Sequence, residues 1–140
     1  MNRLITLADY LDTVDPVTFN IHAYITGRIG NSTHDELVVA IKEKQIAACA
    51  IGHCSIVFPE ECRFILEAKR SEYNTIRVVL ADNDAPTMTA MSKFFGITHA
   101  DYAHLFHPSS YWIGCVMPWH VAHRIRNRVQ EIVETQNIGN

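Results

Sequence analysis

Residues 46–58 read IAACAIGHCSIVF and run into Pro59. The stretch is apolar on nearly every side, so it must be buried whichever period its backbone takes. Ala47, Ala48, Ala50 and Gly52 are small enough for close packing, and the pattern predicts a buried helix ending at Pro59. An element of this kind needs amphipathic neighbours to cover it. Upstream, Thr33 and Glu36 stand at capping-box spacing ahead of Leu37, Val38 and Ile41, which predicts a helix over 34–44. Thr6 and Asp9, among Leu4, Leu7 and Leu11, read as the N-cap and acidic first turn of a helix over about 7–14 that Asp15-Pro16 stops. Between these lies VTFNIHAYITGRIG at 17–30, which mixes β-formers with aromatics, ends in loop chemistry, and is expected to be extended or irregular.

Downstream, CRFILEAK (62–69) and TIRVVLA (75–81) flank RSEYN and predict a two-stranded hairpin, with a helical alternative open for RFILEAKRSEY. Asp84 and Pro86 open a helix carrying Met88, Met91, Phe94 and Phe95, and Gly96 stops it. Thr98 and Asp101 cap another over about 99–106, ended by Pro108. Pro118 suits the first turn of a last helix with the stripe Val121, Ile125, Val129, Ile132 and Val133. The expected fold is α+β and helix-rich, a single compact domain over 1–140 with five or six helices and a small β-hairpin.

Composition narrows the function classes. With 140 residues, 48% hydrophobic, the chain can bury one core, and it is neither disordered nor low-complexity. Twelve Lys plus Arg against 15 Asp plus Glu give a net charge of −3, which is not the footprint of a non-specific nucleic-acid binder. No apolar run reaches about 18 residues, so no membrane partner is expected. MNRLITLADYLDTVDP has no signal-peptide pattern, and the expected address is cytoplasmic. No phosphate-binding loop or dinucleotide fingerprint occurs, and no cofactor is expected.

Two constellations could carry chemistry. The first is Cys49, His53, Cys54 and Cys62. On a helix Cys49 and His53 lie one turn apart, as two zinc ligands would, and Cys62 could return across the Pro59 turn to join them. Against this, adjacent His53 and Cys54 point about 100° apart, and C-x3-H-C-x7-C is no standard zinc spacing. The other reading of the four is as core residues. A third makes Cys49 a nucleophile with His53, His22 or another histidine as base, although an apolar surround holds a thiol protonated. Cys115, just before Pro118, is expected to be the first thiol to react.

The second constellation lies in the last third. Tyr111 and Trp112, within HPSSYWIGC, and Trp119 read as core or interface anchors. Arg124 and Arg128 are one turn apart, no acid occurs between residues 102 and 130, and Arg126 is rotated off their line. Tyr111, Trp112, Trp119, Arg124 and Arg128 are therefore the expected partner-binding residues, facing a protein partner; for the arginines the readings are an ordinary solvated face, an acidic protein partner or a nucleic-acid phosphate. If Arg124 and Arg128 contact an acidic partner, loss of both is expected to leave folding nearly intact and to weaken the interaction in a salt-sensitive way. His99, His104, His107, His120 and His123 include no i,i+4 pair and read as solvated or partly buried polar residues.

AACAIGHC at 47–54, KFFGITHADYAHLFHPSSYW at 93–112 and PWHVAHRIRNRV at 118–129 together resemble a set of small uncharacterised bacterial and bacteriophage proteins. In that set a Phe-Asp-Met segment precedes a Cys-Gly-Thr-x-x-Cys-x-x-Gly-His segment. A Phe-Phe-Gly-Leu-Thr helix pair then ends in Leu-Phe-x-Pro-x-x-Tyr, and a last helix contains Val-Ala-x-Arg-Ile. Here Lys44, Gln45 and Ile46 stand in place of Cys-Gly-Thr, and Phe19-Asn20-Ile21 in place of Phe-Asp-Met. A nucleophile at that first Cys would be lost from this chain. The resemblance implies a bacterial or phage cytosolic origin. It implies no activity; an accessory protein binding a macromolecular partner, as a host- or defence-modulating inhibitor, is expected by analogy alone with small phage proteins that disable host factors. The alternative is a Cys/His-dependent enzyme or zinc-binding protein centred on Cys49 and His53.

Overall fold

A computed structural model describes residues 2–26, 32–68 and 74–138 of the chain. Among these the order is α1 (Asn2–Leu11), α2 (His34–Lys42), α3 (Ala50–Val57), β1 (Cys62–Ala68), β2 (Asn74–Leu80), α4 (Thr87–Phe95), α5 (His99–Phe106) and α6 (Pro118–Ile138), with 3-10 turns at Pro16–Thr18 and Pro108–Ser110. Helix α3 is central, touching α1 and both strands, while α1 packs along α6, α4 on β2, and α5 on α4 and α6. One apolar cluster runs through all of them. The fold is helix-rich α+β, as the sequence predicts.

The 46–58 stretch departs from its expected form. Only Ala50–Val57 is helical. Residues 47–49 are extended because their backbone groups have partners in the distant 18–26 segment. Ala47 exchanges bonds with Thr26 at 2.7 and 3.2 Å, the Ala48 N–H reaches the Thr18 carbonyl at 2.9 Å, and the Cys49 N–H reaches the Ala23 carbonyl at 2.9 Å. These bonds leave Cys49 as the N-cap of α3. Gly52 is fixed by the same contact, since a Cβ there would lie 2.2 Å from the Tyr24 carbonyl oxygen.

Helix α1 also differs, beginning at Asn2 rather than near residue 7. Thr6 is no cap; its hydroxyl donates to the Asn2 carbonyl at 2.9 Å from inside the helix. The buried stripe Leu4, Leu7, Ala8 and Leu11 sets the start instead. Elsewhere local signals hold. Thr33 and Glu36 make the reciprocal capping box, and Gly96 ends α4 at φ 71°. Thr98 caps α5 by accepting from the Asp101 N–H.

Strands β1 and β2 pair antiparallel, with Cys62 opposite Leu80 and Phe64 opposite Val78. The predicted hairpin turn at 70–73 and the predicted loop at 27–31 lie outside the described residues. His34, first in α2, accepts the Phe64 N–H on Nδ1 at 3.0 Å. In α6 the stripe is buried at Val121 and Ile125, half-buried at Val129 and Ile132, and exposed at Val133. No helix of the described residues is long and apolar enough to cross a membrane.

Candidate functional site

Packing of α3 against α1 and the 16–18 turn places His53 in the core, fully buried. Its Nε2 lies 2.8 Å from the Thr18 carbonyl oxygen, and its Nδ1 lies 3.1 Å from the Tyr10 hydroxyl. A carbonyl can only accept, so Nε2 carries the proton and Nδ1 accepts from Tyr10. Burial pushes the His53 imidazole below its ordinary value, against the Thr18 bond, and favours this neutral form. Phe19 stacks on the ring, with centroids 6.5 Å apart at 19°. Both ring nitrogens are therefore engaged, leaving neither for a metal ion or for a proton from Cys49.

The three cysteines of this cluster are buried free thiols. Cys54 turns back to donate to the Ala50 carbonyl at 3.5 Å, and burial, with Cys62 and Cys49 close by, pushes it well above the usual thiol range. Burial pushes Cys49 up to about 11, although the N–H groups of Ile51 and Gly52 act in the opposite direction, and pushes Cys62 up to about 12. Cys49 borders a cleft of about 600 Å³ that His22, Tyr102 and His107 also line. No histidine hydrogen-bonds its thiol among the described residues. No three His, Cys, Asp or Glu side chains there converge as a metal site. What the cluster does chemically is tie α1, the 16–18 turn and α3 together.

The expected partner-binding residues do converge. Tyr111, Trp112, Trp119, Arg124 and Arg128 line one groove of about 710 Å³ between the 111–113 segment and α6, together with Ile113, His104, His120, His123, Arg126 and Asn127 and the carboxylates Asp12 and Glu131. Within it the residues divide into a rigid frame and an open rim. Tyr111 belongs to the frame: its hydroxyl donates to the Leu105 carbonyl at 2.6 Å, and burial raises its phenol to about 12 against the pull of Arg124. Arg124 lies over that ring at 3.7 Å, and its Nη1 donates to the His104 and Ser110 carbonyls at 2.9 Å each and to Ser110 Oγ at 3.0 Å.

Arg128 pairs with Asp101 at 2.8 Å and Glu131 at 3.0 Å. Burial alone would raise the Asp101 carboxyl, but the Arg128 bond and charge, with the Thr98 bonds, hold it below its usual range. Arg126 reaches across to α1, pairing with Asp9 and Asp12. The rim is apolar. Trp112 is 97% exposed, Ile113 47% and Trp119 46%.

Arg124 and Arg128 thus also brace α5 and the following turn against α6, contacts that the expectation of nearly intact folding after their loss did not include. Their partners are backbone carbonyls and a carboxylate brought from α5 and the following turn, which spacing along α6 does not reveal. Ile113 was legible as an apolar residue in a loop. His104, His120 and His123 join the groove only through the fold. Searches of protein-family models, curated proteins and solved structures return no match for this chain.

Proposed function

We propose that the chain is a small accessory protein that works by holding a protein partner in the groove between the 111–113 segment and α6. The observation that carries this reading is Trp112: an indole almost wholly in water, flanked by two more exposed apolar side chains, on a surface whose polar parts are held rigid. Tryptophan, tyrosine and arginine are the residues that anchor interfaces, and a preformed frame lowers the ordering cost of binding. The cytoplasm of a bacterial or phage-infected cell as its setting rests on the resemblance to small bacterial and bacteriophage proteins, and the host- or defence-modulating role on analogy alone. An enzyme or zinc protein centred on Cys49 and His53 has less support, because His53 is committed at both nitrogens and burial keeps Cys49 protonated.

A photo-crosslinking residue at position 113, compared with one at exposed Val39 on α2, tests the proposal in cells. The expected result is one partner captured from position 113 alone, which after purification binds the Trp112→Ala variant at least about tenfold more weakly. Equal capture from both positions, or full affinity in Trp112→Ala, would sink it.

A further inference from the structure

We infer that the occupant of this groove is an acidic peptide segment, with a carboxylate seated on the free edge of the Arg124 guanidinium and a neighbouring apolar side chain packed on Trp112. The inference rests on the groove being the binding surface and names the chemistry of what it binds.

Three observations carry it. Every hydrogen bond that Arg124 makes among the described residues leaves from Nη1, so Nε and Nη2 have no partner there. The Tyr111 ring and the two carbonyls hold the guanidinium plane still. A fixed planar fork with its Nε and Nη2 donors free matches the two oxygens of a carboxylate.

Second, the three arginines of the groove differ in what balances them. Arg126 is paired with Asp9 and Asp12, and Arg128 with Asp101 and Glu131, while the partners of Arg124 are carbonyls, a hydroxyl and a ring. Its charge is uncompensated by any carboxylate among the described residues.

Third, charge is unevenly spread along the chain. Residues 102–130 hold three Arg and no acid, which leaves nine basic side chains against 15 acidic ones elsewhere, from totals of 12 and 15. In space the groove is mixed in charge, because Asp12 and Glu131 line it and pair with Arg126 and Arg128, and Arg124 is the cation left over among the described residues. A long polyanion would need several free cations to track its phosphates and would meet repulsion from the rest of the surface. A short acidic segment needs only the fork, and Trp112 beside it supplies an apolar anchor.

The test uses the full chain and fluorescein-labelled probes in anisotropy titrations: a peptide alternating Glu with Leu, copies with Gln or Lys in place of Glu, and oligothymidylate of matching charge. The acidic peptide is expected to saturate, and to lose affinity at least about fivefold between roughly 50 and roughly 300 mM salt. The Gln copy should bind about tenfold more weakly, and the Lys copy and oligothymidylate should not saturate. Arg124→Lys keeps the charge without the planar fork and should weaken the acidic peptide about fivefold or more. If that variant proves unfolded by circular dichroism, the Glu-to-Gln comparison on the native chain decides alone.

Equal binding of the Gln and Glu peptides, with Trp112→Ala still weakening both, would overturn the acidic partner and leave the groove reading standing. Binding indifferent to Trp112→Ala would overturn both. Failure of the acidic peptide to saturate, preference for oligothymidylate, or a Trp112-dependent dimer in sedimentation would each overturn the acidic-peptide occupant.

Discussion

The His53 neighbourhood and the Trp112 groove are built from similar residue types, yet their polar atoms are spent in opposite directions. Around His53 the polar atoms turn inward: both ring nitrogens are matched, the Cys54 thiol bonds its own helix, Phe19 stacks on the imidazole, and Ser55 Oγ is buried with no partner among the described residues. Around Trp112 the inward bonds stop at the frame: the indole is exposed, and Nε and Nη2 of half-buried Arg124 have no partner among the described residues. The same His, Cys, Tyr and Arg that suggest chemistry in a sequence thus become structure or surface according to whether the fold supplies their partners. A site is recognised by what is left unmatched.

The contrast can be broken most forcefully at Gly52. Its missing side chain lets the Tyr24 backbone approach α3, and the displaced atom in Gly52→Ala would be main chain rather than a yielding side-chain tip. We expect a loss of about 3 kcal/mol or more in urea unfolding. A variant as stable as the parent would mean that the 18–26 segment does not hold the core shut.

Next is His53→Leu, which strands the Tyr10 hydroxyl while the Thr18 carbonyl keeps its bond from Ala48. The expected cost is about 2 kcal/mol, with no change in peptide binding. Arg124→Ala removes the Nη1 bonds and the ring contact at a partly exposed site, and should cost about 1 kcal/mol while also abolishing the acidic preference.

Acidity should produce a smaller, graded effect with a definite sign. Burial lowers the imidazoles of His53 and His34, the latter with help from Arg63, and both accept hydrogen bonds on Nδ1 that protonation would break. The unfolded chain takes up these protons first. Stability is therefore complete above the ordinary histidine range near pH ~6.5 and falls as the pH drops through it. Urea midpoints across that window should decline in the parent and decline less steeply in His53→Leu; identical slopes would remove His53 from the account. The smallest effect on folding belongs to Trp112→Ala, within about 0.5 kcal/mol, because the ring touches little. A large loss would mean that the indole is packed in solution and the groove is closed.

Legibility followed the distance between interacting residues. The Thr33–Glu36 box and the Gly96 stop are legible because each signal lies within a few residues of its partner, and the hairpin because two β-branched runs flank a short gap. The start of α1 is not, because Thr6 has the chemistry of a cap while the Leu4 to Leu11 stripe outweighs it. Residues 47–49 carry the pattern of a buried helix yet are extended, because their hydrogen bonds go to a segment more than twenty residues away. At the groove, residue type alone picked out Trp112 and Trp119. The bracing of Arg124 by His104 and Ser110, and of Arg128 by Asp101, appears only when α5 and α6 are brought together.

The packing of α1 along α6 has a consequence for how the chain is made. The Leu4, Leu7 and Leu11 stripe is translated more than a hundred residues before the helix it packs along, which begins at Pro118. At ordinary elongation rates, roughly 5–20 s separate the two. Through that interval the α1 leucines lack the cover that α6 supplies, the kind of surface that chaperones engage and that seeds aggregation on crowded ribosomes. Closure of this part of the core thus waits for the arrival of α6.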